Sequence, residues 1–400
     1  MKLGVERLLE DDSVRATLKG RRVALLGHPA SVNRRGQHTL DALAACSDLR
    51  LTAALGPQHG MRGDKQDNMI ESEDYLDPLH GIPVFSLYGK VRRPTPSMLD
   101  TFDVALVDLQ DIGTRIYTFL TTLAYLLEAA AEADKGVWVL DRPNPSGRTA
   151  EGTLLEPGWE SFVGVGPVLM RHGLTLGEFA QWHVACRRLK VDLRVIAMEG
   201  YQPDAHPGYG WPVFELPWVN PSPNASSINV TRCFPGTVLF EGTTLSEARG
   251  TTHPLEMVGA PDLDFGRVLQ RSRTFAPEWL AGCLVRRCCF EPTFQKHQGK
   301  LCFGVQIHTD YADYRPDLFR PYRLGALLLK AIRLEYPDYP LWHRLDYEYE
   351  TKRLAIDLLS GGTFLRRWVD NPSADAVEFE RRLAADESAW AETRQPYLMY

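Results

Sequence analysis

The chain has 400 residues, 44% hydrophobic and 24% charged, enough to bury more than one core and too apolar to be mainly disordered. Its 45 basic and 51 acidic side chains leave a net charge of -6, which argues against a general nucleic-acid binder, since such proteins need a basic footprint. The apolar stretches, such as residues 123–131 with Glu128 inside, fall well short of the roughly 18 residues of a membrane span.

The first twelve residues, Met1 to Asp12, are interrupted by charge every few positions, unlike a secretory leader. The seven cysteines are odd in number and form no CxxC pair, which favours reduced thiols over a disulfide or zinc scaffold. A soluble, cytoplasmic protein is expected, with neither nucleic acid nor membrane as partner; its oligomeric state is left open. Asn224-Ala225-Ser226 and Asn229-Val230-Thr231 match the glycosylation pattern. Without a leader they read as chance matches.

Apolar runs predict strands at 22–27, 51–55, 83–88, 104–108, 137–140 and 193–197. Near-continuous runs of this kind suit a parallel sheet covered on both faces. Helical spacing predicts helices at 39–46, 116–133 and 174–189. The second of these is the longest and clearest. The third opens on Thr175 with Glu178 three residues on, a capping box. This alternation points to a doubly wound α/β domain over residues 1–225. Residues 201–225 are rich in Pro, Gly and Trp and read as a long ordered loop. Strands near 283–290 and 301–309, and helices at 324–335 and 376–385, make residues 226–400 a smaller α+β domain.

Unusual polar residues fall just after the strands: His28, then Gln58, His59, Arg62 and Asp64, then Asp108, Asp111 and Arg115, then Asp141, Arg142 and Asn144. Open α/β sheets bind ligands outside the carboxyl ends of their strands, so four loops should converge on one rim. Duller roles compete. Asp108 or Asp111 could cap the following helix, Arg115 could pair with Asp111 as support, and Pro143 and Pro145 could stiffen a turn. His59 and Arg62 flank glycines, which permit close backbone approach to a ligand. No GxGxxG, Walker A, GxSxG or HExxH motif is present, and no spacing proposes a metal site.

Taken together, Gly56 to Asp64, Gly81 to Gly89, Asp108 to Arg115, Leu140 to Pro145, Arg171 to Thr175, Pro221 to Asn224, Phe240 to Thr243, Arg249 to Thr251 and Phe294 to Lys300 resemble the exo-β-N-acetylmuramidase family of glycoside hydrolases. The motif order is kept over almost the whole chain. The resemblance implies a Rossmann-like N-terminal domain, a smaller C-terminal domain closing the cleft, and no nucleotide cofactor or metal. It implies release of N-acetylmuramic acid from the non-reducing end of peptidoglycan fragments. For a cytoplasmic enzyme these are recycled fragments, a small carbohydrate or a muropeptide.

The family's proposed catalytic glutamate lies in a Gly-Pro-Glu-His-Gly segment, and here that position is Gln58. An amide cannot protonate a leaving oxygen, though it can bond a sugar hydroxyl or acetamido group. Asp64, Glu71 and Glu73 are the first replacement acids to consider, and Glu151 and Glu241 the next. Arg62, Arg115 and Arg142 are candidates for the lactyl carboxylate, and His59 and Asn144 for hydroxyls or the acetamido group. Asp111, Asp141, His172, Asn224 and Arg249, within or beside the matched segments, complete the expected binding set. Trp211 and Trp218 could stack on a sugar or simply pack. Retention, inversion and a substrate-assisted route stay open. So do a non-cleaving binder of muramic-acid or amino-sugar fragments, which Gln58 favours, and a glycosidase for another sugar.

Overall fold

The apolar runs of the first half become the strands of one sheet. The computed structural model describes every residue except Asp67, Asn68 and Leu345. Its N-terminal half runs α1 (Gly4–Glu10), α2 (Asp12–Ala16), β1 (Arg22–Gly27), α3 (Thr39–Ala44), β2 (Arg50–Gly56), β3 (Tyr75–Leu76), β4 (Pro83–Ser86), α4 (Pro96–Leu99), β5 (Val104–Asp108), α5 (Phe119–Glu132), β6 (Gly136–Leu140), β7 (Glu151–Leu154), β8 (Leu169–Arg171), α6 (Leu176–Arg187) and β9 (Asp192–Ile196). The rest comprises α7 (Ile228–Thr237), a 3-10 turn (Val238–Gly242), β10 (Met257–Ala260), α8 (Phe265–Phe275), β11 (Leu284–Phe290), β12 (Cys302–His308), α9 (Pro321–Glu335), α10 (Ala355–Ser360), α11 (Phe364–Asp370) and α12 (Ala376–Arg394).

The large sheet has the order β3-β4-β2-β1-β5-β6-β9. All neighbours are parallel except β3, which pairs antiparallel with β4 at the edge. Its parallel strands, counted along the chain, have the order of a doubly wound Rossmann sheet. Leu25 pairs with Ala54 on one side and Leu106 on the other. Leu25, Leu106 and Trp138 face a core shared with α1 and α3. Their neighbours Leu26, Val107 and Val139 face a second core under α5 and α6. Successive side chains leave a strand on opposite faces; with both faces covered, the strand sequence is apolar throughout.

Helix α6 keeps the expected capping box: the Thr175 hydroxyl accepts from the Glu178 amide at 3.3 Å, and the Glu178 carboxylate accepts from the Thr175 amide at 2.9 Å. The longest helix is not the one expected at 116–133, which starts only at Phe119, but α12, with 19 residues. Only Phe379, Leu383 and Trp390 of α12 are buried, so its apolar stripe is too thin to mark its length. Residues 201–225 contain no helix or strand. Trp211 and Trp218 pack edge to face at 5.0 Å, and their indole N–H groups donate to the carbonyls of Leu216 and Ala225. All seven cysteines are free. Among the described residues, no helix is long and apolar enough to cross a membrane.

The second domain is built on the antiparallel sheet β10-β12-β11 with α8 to α12 around it. Its core is continuous with the one under α5 and α6. Glu151 on β7 fixes where this domain sits. Its carboxylate accepts from the amides of Tyr322 (3.1 Å) and Arg323 (2.9 Å) in the first turn of α9, groups without partners inside the helix. The Arg323 guanidinium then reaches Glu380 (2.8 Å) and Glu387 (2.6 Å) on α12. Glu151, expected near the sugar, is thus fully buried in a structural network. Glu151→Ala should leave two buried amides unsatisfied and cost about 3 kcal/mol, read as a lowered midpoint in urea or thermal unfolding.

Candidate active site

The rim loops do converge, but they divide the work unevenly. The crevice between β1 and β5, where strand order reverses, is filled by His28. Its Nδ1 lies 3.1 Å from the Pro221 carbonyl, and its Nε2 accepts from the Gln110 amide at 2.9 Å. Burial pushes its pKa down to about 3, so it is a neutral structural imidazole.

The cavity lies beside this plug, over the loops after β2 and β5. After β2 the chain turns tightly: His59 and Gly60 take the left-handed conformation (φ 67° and 72°), and a Cβ on Gly56 would stand 2.6 Å from the Met61 amide nitrogen. This turn directs Gln58 into a small cavity between the two halves. The β5 loop contributes Tyr117 and Thr118, the long loop Ser222 and Asn224, and the second domain Glu241, Arg249, Tyr347 and Glu348.

Two carboxyl groups among the described residues share this cavity in different settings. Glu241, in the 3-10 turn, accepts from Arg249 at 2.5 Å and from the Tyr347 hydroxyl at 2.7 Å. Arg249 also pairs with Glu247 at 3.2 Å, and Lys296 with Glu247 at 2.7 Å. Among the described residues, the hydrogen-bond donors to the Glu348 carboxyl are neutral: the Gln58 amide at 3.2 Å and the Tyr88 hydroxyl at 2.8 Å. Thr118 donates to Gln58 Oε1 at 2.7 Å, which turns the amide N–H towards Glu348. Burial, assisted by the charge of Glu241, pushes the Glu348 pKa up to about 7. Burial and Glu348 together push the Tyr88 phenol far up, so it remains a donor. Glu348 and Tyr349 both hold left-handed backbones (φ 45° and 68°), uncommon for such residues and a mark of a segment held by its surroundings.

The other expected residues are spread more widely. Arg62, Asp64, Glu71 and Glu73 are exposed and line a separate groove along β4. The Arg62 guanidinium lies 4.1 Å over Tyr75, Asp64 is 3.3 Å from Lys65, and Glu71 accepts from the Tyr349 hydroxyl at 3.1 Å. Arg115 does not pair with Asp111. Fully buried, it donates to the carbonyls of Thr153, Val168 and Leu359 at 2.7, 2.9 and 3.1 Å, because buried N–H groups must find acceptors. Arg142 binds Asp108 and the Val32 carbonyl. Neither Asp108 nor Asp111 caps a helix: Asp108 also accepts from Thr39, and Asp111 holds the Gly113 amide at 2.6 Å and lies 3.4 Å from His172. Asp141 accepts from Thr175 and Tyr400, both at 2.7 Å, and from the Gly177 amide at 2.8 Å. Asn144 donates to the Leu174 carbonyl at 2.9 Å and accepts from the Ser146 amide. These side chains build the rim from inside.

His59, Asn224, Glu241 and Arg249 do line the cavity with Gln58. His59 donates through Nδ1 to the Lys65 carbonyl at 2.8 Å, and Asn224 to that of Gln66 at 2.8 Å, so both also shape the β2 loop. Sequence reasoning missed Tyr88, Thr118, Tyr347 and Glu348. The stretch Asp346-Tyr347-Glu348-Tyr349-Glu350 reads as a solvated charge run, and nothing local marks its middle carboxyl as buried. Tyr88→Phe removes a donor that favours the Glu348 carboxylate. Its titration should therefore move above pH 7, as followed by the carboxyl C=O stretch in infrared difference spectra.

Comparison with known proteins agrees with this architecture. Family models of the exo-β-N-acetylmuramidase NamZ match residues 23–229 with the N-terminal part and residues 232–400 with the C-terminal part. The peptidoglycan β-N-acetylmuramidase NamZ of Bacillus subtilis (strain 168) is 38% identical over 402 aligned positions, spanning 99% of this chain and 91% of that protein. Crystal structures of two DUF1343 family proteins from Bacteroides fragilis NCTC 9343 superpose with TM-scores of 0.84 and 0.75, at 29% and 27% identity. Each match covers 100% of this chain and 98% of the other. With both halves matched in order, the chain belongs to the exo-β-N-acetylmuramidase NamZ family of glycoside hydrolases.

Proposed function

We propose that this chain cleaves N-acetylmuramic acid from the non-reducing end of peptidoglycan fragments, with the sugar in the cavity over the β2 and β5 loops. The observation that carries this reading is a cavity with two carboxyl groups, Glu241 and Glu348, closed by both halves of a chain of this family. Its walls come from loops of both halves, an arrangement that suits a chain end, whereas an enzyme cutting within chains needs an open cleft. Gln58, Asn224 and Ser222 supply amide and hydroxyl groups for hydroxyl and acetamido recognition. Arg249, though paired with Glu241 and Glu247, lines the cavity; Arg115 and Arg142 lie outside its lining, and Arg62 lies in the neighbouring groove. A cavity that takes a chain end fits released turnover fragments better than intact wall, and we place the enzyme in the cytoplasmic recycling of such fragments.

Gln58 supports one competing reading, a protein that binds muramic-acid fragments without cutting them. One assay separates the two. The 4-nitrophenyl β-glycoside of N-acetylmuramic acid should be hydrolysed, and the N-acetylglucosamine analogue, which lacks the lactyl group, more slowly by tenfold or more. Thermal stabilisation by the muramyl glycoside without nitrophenol release would instead favour the binder.

A further inference from the structure

The amide at position 58 raises a chemical question that the cavity itself answers. Cleavage of a glycoside needs a proton for the leaving oxygen, and Gln58 has none to give. Its side-chain nitrogen donates to a carboxyl, Glu348 Oε1, at 3.2 Å. The geometry points to Glu348 as the general acid that protonates the glycosidic oxygen, with Gln58 as a positioning residue that holds its carboxyl. This inference rests on the muramidase reading above and deepens it.

Three observations carry the assignment. First, Glu348 lines the same cavity as Gln58 and Glu241, whereas Asp64, Glu71 and Glu73 open onto another groove. Second, its orientation is set from two sides. Gln58, locked by Thr118, holds Oε1, and Tyr88 holds Oε2. The backbone supports this: the Glu348 amide donates to the Met69 sulfur at 3.2 Å, and Tyr349 packs against the Arg92 guanidinium at 3.3 Å. Third, the groups facing it leave its charge poorly compensated. Gln58 and Tyr88 are neutral. Glu241 repels a negative charge, and Tyr347 turns its hydroxyl to Glu241; Arg92, stacked on Tyr349 and 3.8 Å from Glu71, favours the charged form, but less than burial opposes it. A carboxyl in such a place keeps its proton near neutral pH.

The reaction balances with water as the only co-reactant. The Glu348 carboxyl gives its proton to the glycosidic oxygen, the bond from that oxygen to C1 breaks, and its electron pair leaves with the aglycone as an alcohol. Water oxygen bonds to C1, and the proton that water loses restores the Glu348 carboxyl. Gln58 gains and loses nothing.

The test compares full-length wild type with Glu348→Gln on two β-glycosides of N-acetylmuramic acid. One carries N-acetylglucosamine, a poor leaving group; the other carries 2,4-dinitrophenol, which departs without protonation. The disaccharide kcat/KM should fall roughly 10²–10⁴-fold, the usual contribution of a general acid, and that of the dinitrophenyl glycoside by less than tenfold. The retained dinitrophenyl activity also shows that the variant folds. The wild-type disaccharide profile should have a basic limb near pH 7. Gln58→Glu should move that limb upward, since two adjacent carboxyls share a proton. Equal losses on both glycosides, no loss on either, or a limb unmoved by Gln58→Glu would overturn the inference while leaving the muramidase reading intact. A wild type inactive on both glycosides would overturn both.

Discussion

The cavity exists because a buried carboxylate at the end of the first half receives the first turn of a helix in the second. Glu151 takes the amides of Tyr322 and Arg323, and Arg323 passes the contact on to Glu380 and Glu387 of α12. A misplaced helix would leave those amides and that carboxylate unpaired in the interior, which is costly. The apolar core is less selective, because hydrophobic contact has no direction. It joins the two halves, but the polar network at Glu151 sets their register. With α9 in place, Glu241, Arg249 and Tyr347 close over the sheet rim.

Inside the cavity, two chemically identical side chains are made different by their neighbours. Glu241 receives a guanidinium and a phenol. Glu348 receives an amide and a phenol and faces the charge of Glu241. Glu241 has a guanidinium in hydrogen-bond contact, whereas Glu348 has hydrogen bonds from neutral groups and feels Arg92 only at a distance, so one fold gives two carboxyls different electrostatic settings. The amide at position 58 takes part in this separation. A glutamate there would place a third carboxyl in the cavity, 3.2 Å from Glu348, and the two would compete for one proton.

The rim residues fall into two groups. Arg115, Arg142, Asp108, Asp141 and Asn144 stand after the strands as expected, but their polar atoms are used by carbonyls, amides and each other. Loops that converge on a site must bury their own backbone, and that backbone needs partners. A polar residue at a strand end therefore supports the loop at least as often as it faces the ligand. Gln58, His59, Asn224, Glu241 and Arg249 reach the cavity because their loops stop at its wall.

The sheet was legible in the sequence because its information is local. Apolar runs such as Val104–Asp108 are strands because both faces of the sheet are covered, and Thr175 with Glu178 starts a helix through bonds spanning three residues. The rim on which the loops converge follows from strand direction alone. The carboxyl at Glu348 could not be read in this way. Its partners Tyr88 and Gln58 are 260 and 290 positions away, and its own neighbours look like solvated charge. Burial and loss of counter-charge are properties of a place in space, so tertiary structure alone decided which of the many acidic residues stands beside Gln58. The strand pattern, the rim and the amide at position 58 belonged to the sequence from the start.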